Sequence, residues 1–118
     1  METRENFAAP ELKEAVGQTV YLSQLEHDAT AVIKPYTFME IGDRVRLTVK
    51  TVYGGSFENE TVITNGTIGM PITFLVPKTV LAENWSPSEN PALTLFYRVE
   101  RADGNYIESP ILELHVKL

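Results

Sequence analysis

Cysteine is absent from the 118 residues. That excludes a disulfide framework, a thiolate zinc site and a cysteine nucleophile. Histidine occurs only at His27 and His115, which leaves little material for a nucleophile–base relay. No apolar run approaches the ~20 residues of a membrane-spanning helix, so no membrane insertion is expected. Cations are scarce, with 10 Lys and Arg against 16 Asp and Glu, a net charge of −6. Nucleic acid and anionic membranes need the opposite balance and are not expected as partners. The opening METRENFAAPELKE is too polar for a signal peptide, so on this reading any export signal lies outside the sequence.

What is present is the composition of an ordinary globular domain, 43% hydrophobic and 22% charged. The length fits one domain. Residues 1–17 show weak patterning, with Pro10 and Gly17 bracketing a short stretch, and read as a lead-in or linker. Residues 18–118 read as a single domain in which the hydrophobic period is two. The clearest strand is 43–53, with Val45, Leu47, Val49 and Tyr53 on one face and Arg44, Arg46, Thr48 and Lys50 on the other. Shorter strands are expected at 19–22, 29–34, 57–64 and, between Pro71 and Pro77, 72–76. Residues 78–85 have a helical spacing over one or two turns and predict a 3₁₀ or short α crossover, followed by a loop at 86–91. Leu93, Leu95, Tyr97 and Val99 face inward on the next strand. Asp103-Gly104 turns the chain into a last strand with Leu112, Leu114, Val116 and Leu118 inward. Pro110 marks an edge position or a bulge in it.

Six to seven short strands without a long helix predict an all-β sandwich or barrel. The preferred fold class is an antiparallel β-sandwich, cored by Val45, Leu47, Val49, Phe74, Leu95, Tyr97, Leu112 and Leu114.

Chemistry is hard to find in the pattern. His27 and Asp28 are neighbours in an extended chain and point to opposite faces. His115 alternates outward with Glu113 and Lys117. Neither a G-x-S-x-G elbow nor an EF-hand loop occurs. Glu40, Asp43 and Asp103 have oxygen ligands for calcium where loops meet, but Asp43 and Asp103 read more simply as turn residues beside Gly42 and Gly104. Glu58 and Glu60 read as a solvated sheet face. The sequons at Asn59, Asn65 and Asn84 read as incidental to threonine-rich strands and asparagine-rich turns. No catalytic, cofactor-binding or metal-binding residue is assigned, and the chain is expected not to be an enzyme. A ligand or partner surface is the one functional reading with material behind it. Phe96 is outward by alternation next to Arg98, Trp85 lies near a loop, and Arg44, Arg46 and Lys50 form a basic stripe. The plainer alternatives are a covered Phe96 and cross-strand pairing of the cations with neighbouring acids.

The stretches VIKPYTFMEIGD, MEIGDRVRLTVK, IGMPITFLVPKTVLAEN and LTLFYRVERADGNYIESPILELHV together resemble the Ig-like β-sandwich repeats of large bacterial surface and secreted proteins. The resemblance runs from about Ala29 to Leu118. It implies an Ig-like fold, a secreted or cell-surface location, and a structural or adhesive module of a larger exported protein. The partners it implies are neighbouring domains of the same polypeptide or a surface protein or glycan, with no cofactor. The alternative is a carbohydrate- or protein-ligand-binding sandwich that uses exposed aromatics. The family shares no catalytic residues, so no site is carried over.

Overall fold

Alternation of apolar and polar residues fixes which side of each strand is buried, and the computed structural model places these sides face to face. It describes residues 8–36, 38–83, 85 and 92–118. Nine strands are formed: β1 Glu11–Leu12, β2 Thr19–Tyr21, β3 Ala29–Ile33, β4 Arg44–Thr51, β5 Ser56–Val62, β6 Ile72–Val76, β7 Leu93–Glu100, β8 Tyr106–Glu108 and β9 Leu112–Lys117. Among the described residues one short α-helix, α1 at Lys78–Ala82, crosses between the sheets, and a 3₁₀ turn at Leu22–Gln24 follows β2. One sheet has the order β1-β3-β6, the other β2-β9-β7-β4-β5 with β8 also on β7. The fold is an all-β sandwich.

Val45, Leu47 and Val49 of β4 and Leu93, Leu95, Tyr97 and Val99 of β7 are buried from one side. Ala29, Ala31 and Ile33 of β3 and Ile72, Phe74 and Val76 of β6 are buried from the other. The period of two puts each set on one face of its sheet. β6 has the bounds the two prolines set, and α1 is the short crossover that the spacing predicts.

Several expectations need correction. Residues 1–17 are not all lead-in: Glu11 and Leu12 pair with Val32 and Ala31 of β3, and Leu12 is buried. The strands number nine rather than six or seven among the described residues, because β1 is added and the last strand is divided. The sandwich is not wholly antiparallel, since β2 runs parallel to β9. Leu118 lies beyond β9 and is 68% exposed rather than inward. Thr48 points outward as expected but is buried. The loop at 86–91 lies outside the described residues.

The division of the last strand has a local cause. Arg98 pairs with Glu108, but Leu95 pairs with Leu112, so β7 opposes one extra residue between β8 and β9. This is a bulge at Ser109-Pro110-Ile111, where proline cannot donate to a ladder. The Ser109 hydroxyl fills the gap by accepting from the Tyr97 N–H at 3.0 Å, while the Ser109 N–H donates to the Tyr97 carbonyl at 2.8 Å.

The registers also define two ends. The connections 34–43, 63–71 and 101–105 gather at one, here the loop end; the connection 52–55 lies at the other, at the bottom of β4 and β5. Gly55 packs so closely on the Val80 carbonyl of α1 that an added Cβ would clash with backbone.

Candidate functional site

Five of the six residues singled out from the sequence share the outer face of the larger sheet. Arg44, Arg46 and Lys50 project from β4, and Phe96 and Arg98 from β7. Cross-strand register puts Arg46 between Glu60 and Arg98, and Arg44 between Val62 and Glu100. Arg46 donates to one Glu60 oxygen from Nε at 3.2 Å and from Nη2 at 2.9 Å. That hydrogen bond raises the Arg46 pKa above its ordinary value. Arg44 also reaches Glu60, at 3.5 Å, and Glu100, at 3.9 Å. Arg98 lies over the Tyr106 ring at 3.6 Å from its centroid and 3.7 Å from Glu100. Lys50 sits between Ser56 and Thr94, and among the described residues it makes no ion pair. Phe96 is half-buried opposite the buried Thr48. Arg44 and Arg46 are therefore paired with acids on neighbouring strands, and Arg98 with Glu100 of its own strand and the Tyr106 ring, the ordinary behaviour of a charged sheet surface.

Trp85 does not join them. It is half-buried against the core, and its indole N–H donates to the Val116 carbonyl at 2.9 Å. The ring and its polar handle are both used inside the sandwich.

His27 is exposed at the start of β3, and His115 is half-buried in β9 opposite Thr19, its Nδ1 without a hydrogen-bond partner. No group of three or more metal-ligating side chains forms among the described residues.

The loop end carries a second constellation. Asp43, 1% exposed, accepts from the Tyr36 hydroxyl at 2.7 Å and the Glu40 N–H at 3.0 Å. Arg101, its side chain 17% exposed, places Nε 3.8 Å from Asp43 and Nη1 3.4 Å from Glu40. Burial, with the bond to Asp43, pushes the Tyr36 phenol far above its ordinary pKa. Glu40 and Asp103 line one cleft at the loop end, with Asp43 buried beneath Glu40. Asp43, however, is committed to Tyr36 and Arg101, so a guanidinium supplies the positive charge that the calcium option would have required. Asp103 acts as a turn residue, its carboxylate accepting from the Asn105 N–H at 2.9 Å and the Asn105 side-chain amide at 3.1 Å.

Outside this buried network lies an open cleft of about 620 Å³, lined by Phe38, Glu40, Arg101, Asp103, Asn105 and Ile107 among others. Phe38 is 56% exposed and adopts φ 67°. A phenylalanine in the left-handed region is strained, because its Cβ crowds the following carbonyl. Exposed Ile41, Ile68 and Met70 belong to the same loops. The Gly69 N–H contacts the Met39 sulfur at 3.2 Å and ties the loops together.

Comparison with protein-family models, with curated proteins and with solved structures gives no significant match. Phe38 escaped the reading by period and motif because it lies on no regular element. Its signal in the sequence is compositional: Phe38, Met39 and Ile41 are apolar residues in a connection between Pro35 and Gly42, where turn formers are the rule.

Proposed function

We propose that this protein is a non-catalytic Ig-like module, a structural or adhesive unit of a larger exported bacterial protein. The observation that carries the reading is the path of the chain. It enters at the loop end, where Glu11 pairs with Val32 and its carboxylate lies 3.1 Å from Lys34. It leaves at the other end along β9, parallel to β2. Such a unit continues a chain in one direction, over a body 42 Å in its longest extent. The partition of strands between the sheets supports the Ig-like reading, since β1, β3 and β6 stand where immunoglobulin-type sandwiches have A, B and E, and β4, β5, β7 and β9 where they have C, C′, F and G. The internally paired arginines and the buried use of Trp85 favour this module over a sugar-stacking site.

Tension between the ends meets the β2–β9 ladder in shear, with its hydrogen bonds loaded together. Handles at Ser23→Cys and Leu118→Cys lie at one end of that ladder and peel it bond by bond. The chain has no native cysteine to interfere. Single-molecule pulling through the chain ends is expected to need clearly higher force than pulling through these two handles. Equal forces in the two geometries overturn the reading of a structural module continued through its two ends.

A further inference from the structure

We propose that the loop-end cleft binds an arginine side chain presented by a partner protein, stacked on Phe38 and paired with Glu40 and Asp103. Three observations converge on that chemistry. Phe38 has a left-handed backbone conformation, and more than half of the residue faces solvent at the cleft. Strain of this kind persists only where the surrounding structure enforces it, and such positions concentrate at ligand clamps. Here the enforcement is visible: Tyr36 on one side is fixed to Asp43, and the Glu40 N–H on the other is fixed to the same carboxylate.

The charge of the cleft selects a cation. Its own cation, Arg101, is turned inward onto Asp43 and Glu40. Glu40 remains 69% exposed in its side chain. Asp103 is exposed as well, and its two bonds to Asn105 leave acceptor sites on the carboxylate. Together with the aromatic ring these give one flat apolar surface and acidic oxygens around a single opening. A guanidinium fits both features: it stacks on aromatic faces and forks onto carboxylates, whereas an ammonium is a compact, strongly hydrated charge. The net charge of −6 brings cationic surfaces toward the domain in general, and the cleft gives them a place to dock.

The inference does not depend on the module reading, because a spacer with an unoccupied loop end remains if the cleft binds nothing. Its test titrates the folded protein with short alternating glycine–arginine, glycine–lysine and glycine–glutamine peptides, by calorimetry and by backbone amide NMR. The arginine peptide is expected to bind saturably and to shift the amides of 38–41 and 101–107. Phe38→Gly and the Glu40→Gln, Asp103→Asn pair are each expected to weaken it by about tenfold, a change of 1.4 kcal/mol. Glu58→Gln with Glu113→Gln, on the outer sheet face, is expected to change it less than about twofold. Thermal unfolding of each variant establishes that it is folded, and Phe38→Trp gives a fluorescence reading in the cleft that does not require loss of the ring. The proposal is overturned if the arginine peptide fails to bind, if the lysine peptide binds as well, or if the sheet-face acids matter as much as those of the cleft.

Discussion

Replacing Phe38 by glycine separates strain held for a purpose from packing needed for the fold. At φ 67° an L-residue carries roughly 1–2 kcal/mol of backbone strain, which glycine does not. Glycine gives back roughly 0.5–1 kcal/mol through the greater entropy of the unfolded chain. The residue is 56% exposed, so removing its side chain forfeits only part of a full phenylalanine burial, about 1 kcal/mol. These contributions nearly cancel, and Phe38→Gly is expected within about 1 kcal/mol of the parent. Phe38→Ala loses the same ring but keeps the strain, so it falls below the glycine variant by about 0.5–1 kcal/mol. That order reverses the usual advantage of alanine. Phe38→Asn is expected between them, since asparagine tolerates the left-handed region. Urea unfolding with an unchanged slope reads the differences directly. In a domain of this size about 1 kcal/mol also moves the melting temperature by about 4 °C. If Phe38→Gly costs more than about 3 kcal/mol, the ring is a packing keystone and the argument from strain fails.

Leu95→Ala and Leu114→Ala, at fully buried positions on β7 and β9, are each expected to cost about 2–5 kcal/mol in denaturant unfolding. Gly55→Ala drives a Cβ into the Val80 carbonyl and is expected to cost about 1–3 kcal/mol. Ser109→Ala removes the acceptor of the Tyr97 N–H at the bulge and is expected to cost about 1–3 kcal/mol, with Ser109→Thr retaining more. Burial pushes the Tyr97 phenol from 10.0 up to about 12, and a raised phenol keeps its stabilisation below the unfolded pKa and loses it through the folded one. Stability is therefore expected to fall between pH 10 and pH 12, by about 2 kcal/mol from Tyr97 alone, and the fall measured by urea midpoints should shrink in Tyr97→Phe.

The parts of this fold legible in the sequence are those where one strand decides its own face. β4, β6 and β7 alternate over most of their length, with Thr48, Leu75 and Phe96 as the exceptions on the outer side, so their inward residues follow from period two without knowledge of a partner. The alternating cations of β4 and acids of β5 likewise suggest the pairing of Arg46 with Glu60, because cross-strand neighbours of opposite charge are favoured. β1 and β2 are different. Two or three residues carry too short a pattern, and their strand character comes from β3 and β9, which are distant in sequence. Trp85 also depends on a distant group, the Val116 carbonyl. At the loop end, the turn role of Asp103 was legible from its place before Gly104. The inward turn of Arg101 was not, since nothing local distinguishes a buried arginine from a surface one.

The strain at Phe38 can be held because its connection is pinned on both sides by a single carboxylate. Asp43 is buried at the start of β4, and an unpaired buried carboxylate is costly, so Tyr36, the Glu40 N–H and Arg101 are drawn onto it. Those contacts fix Tyr36 and Glu40, two positions before and two after Phe38. Charge burial thus sets the geometry of the loop, and the loop sets the aromatic outward. The same reasoning makes Asp43→Asn more damaging to the cleft than to the core. An amide there keeps the volume but weakens the hold on Arg101 and Tyr36, so loss of arginine-peptide binding in a variant with its sandwich intact would trace the site back to this one buried side chain.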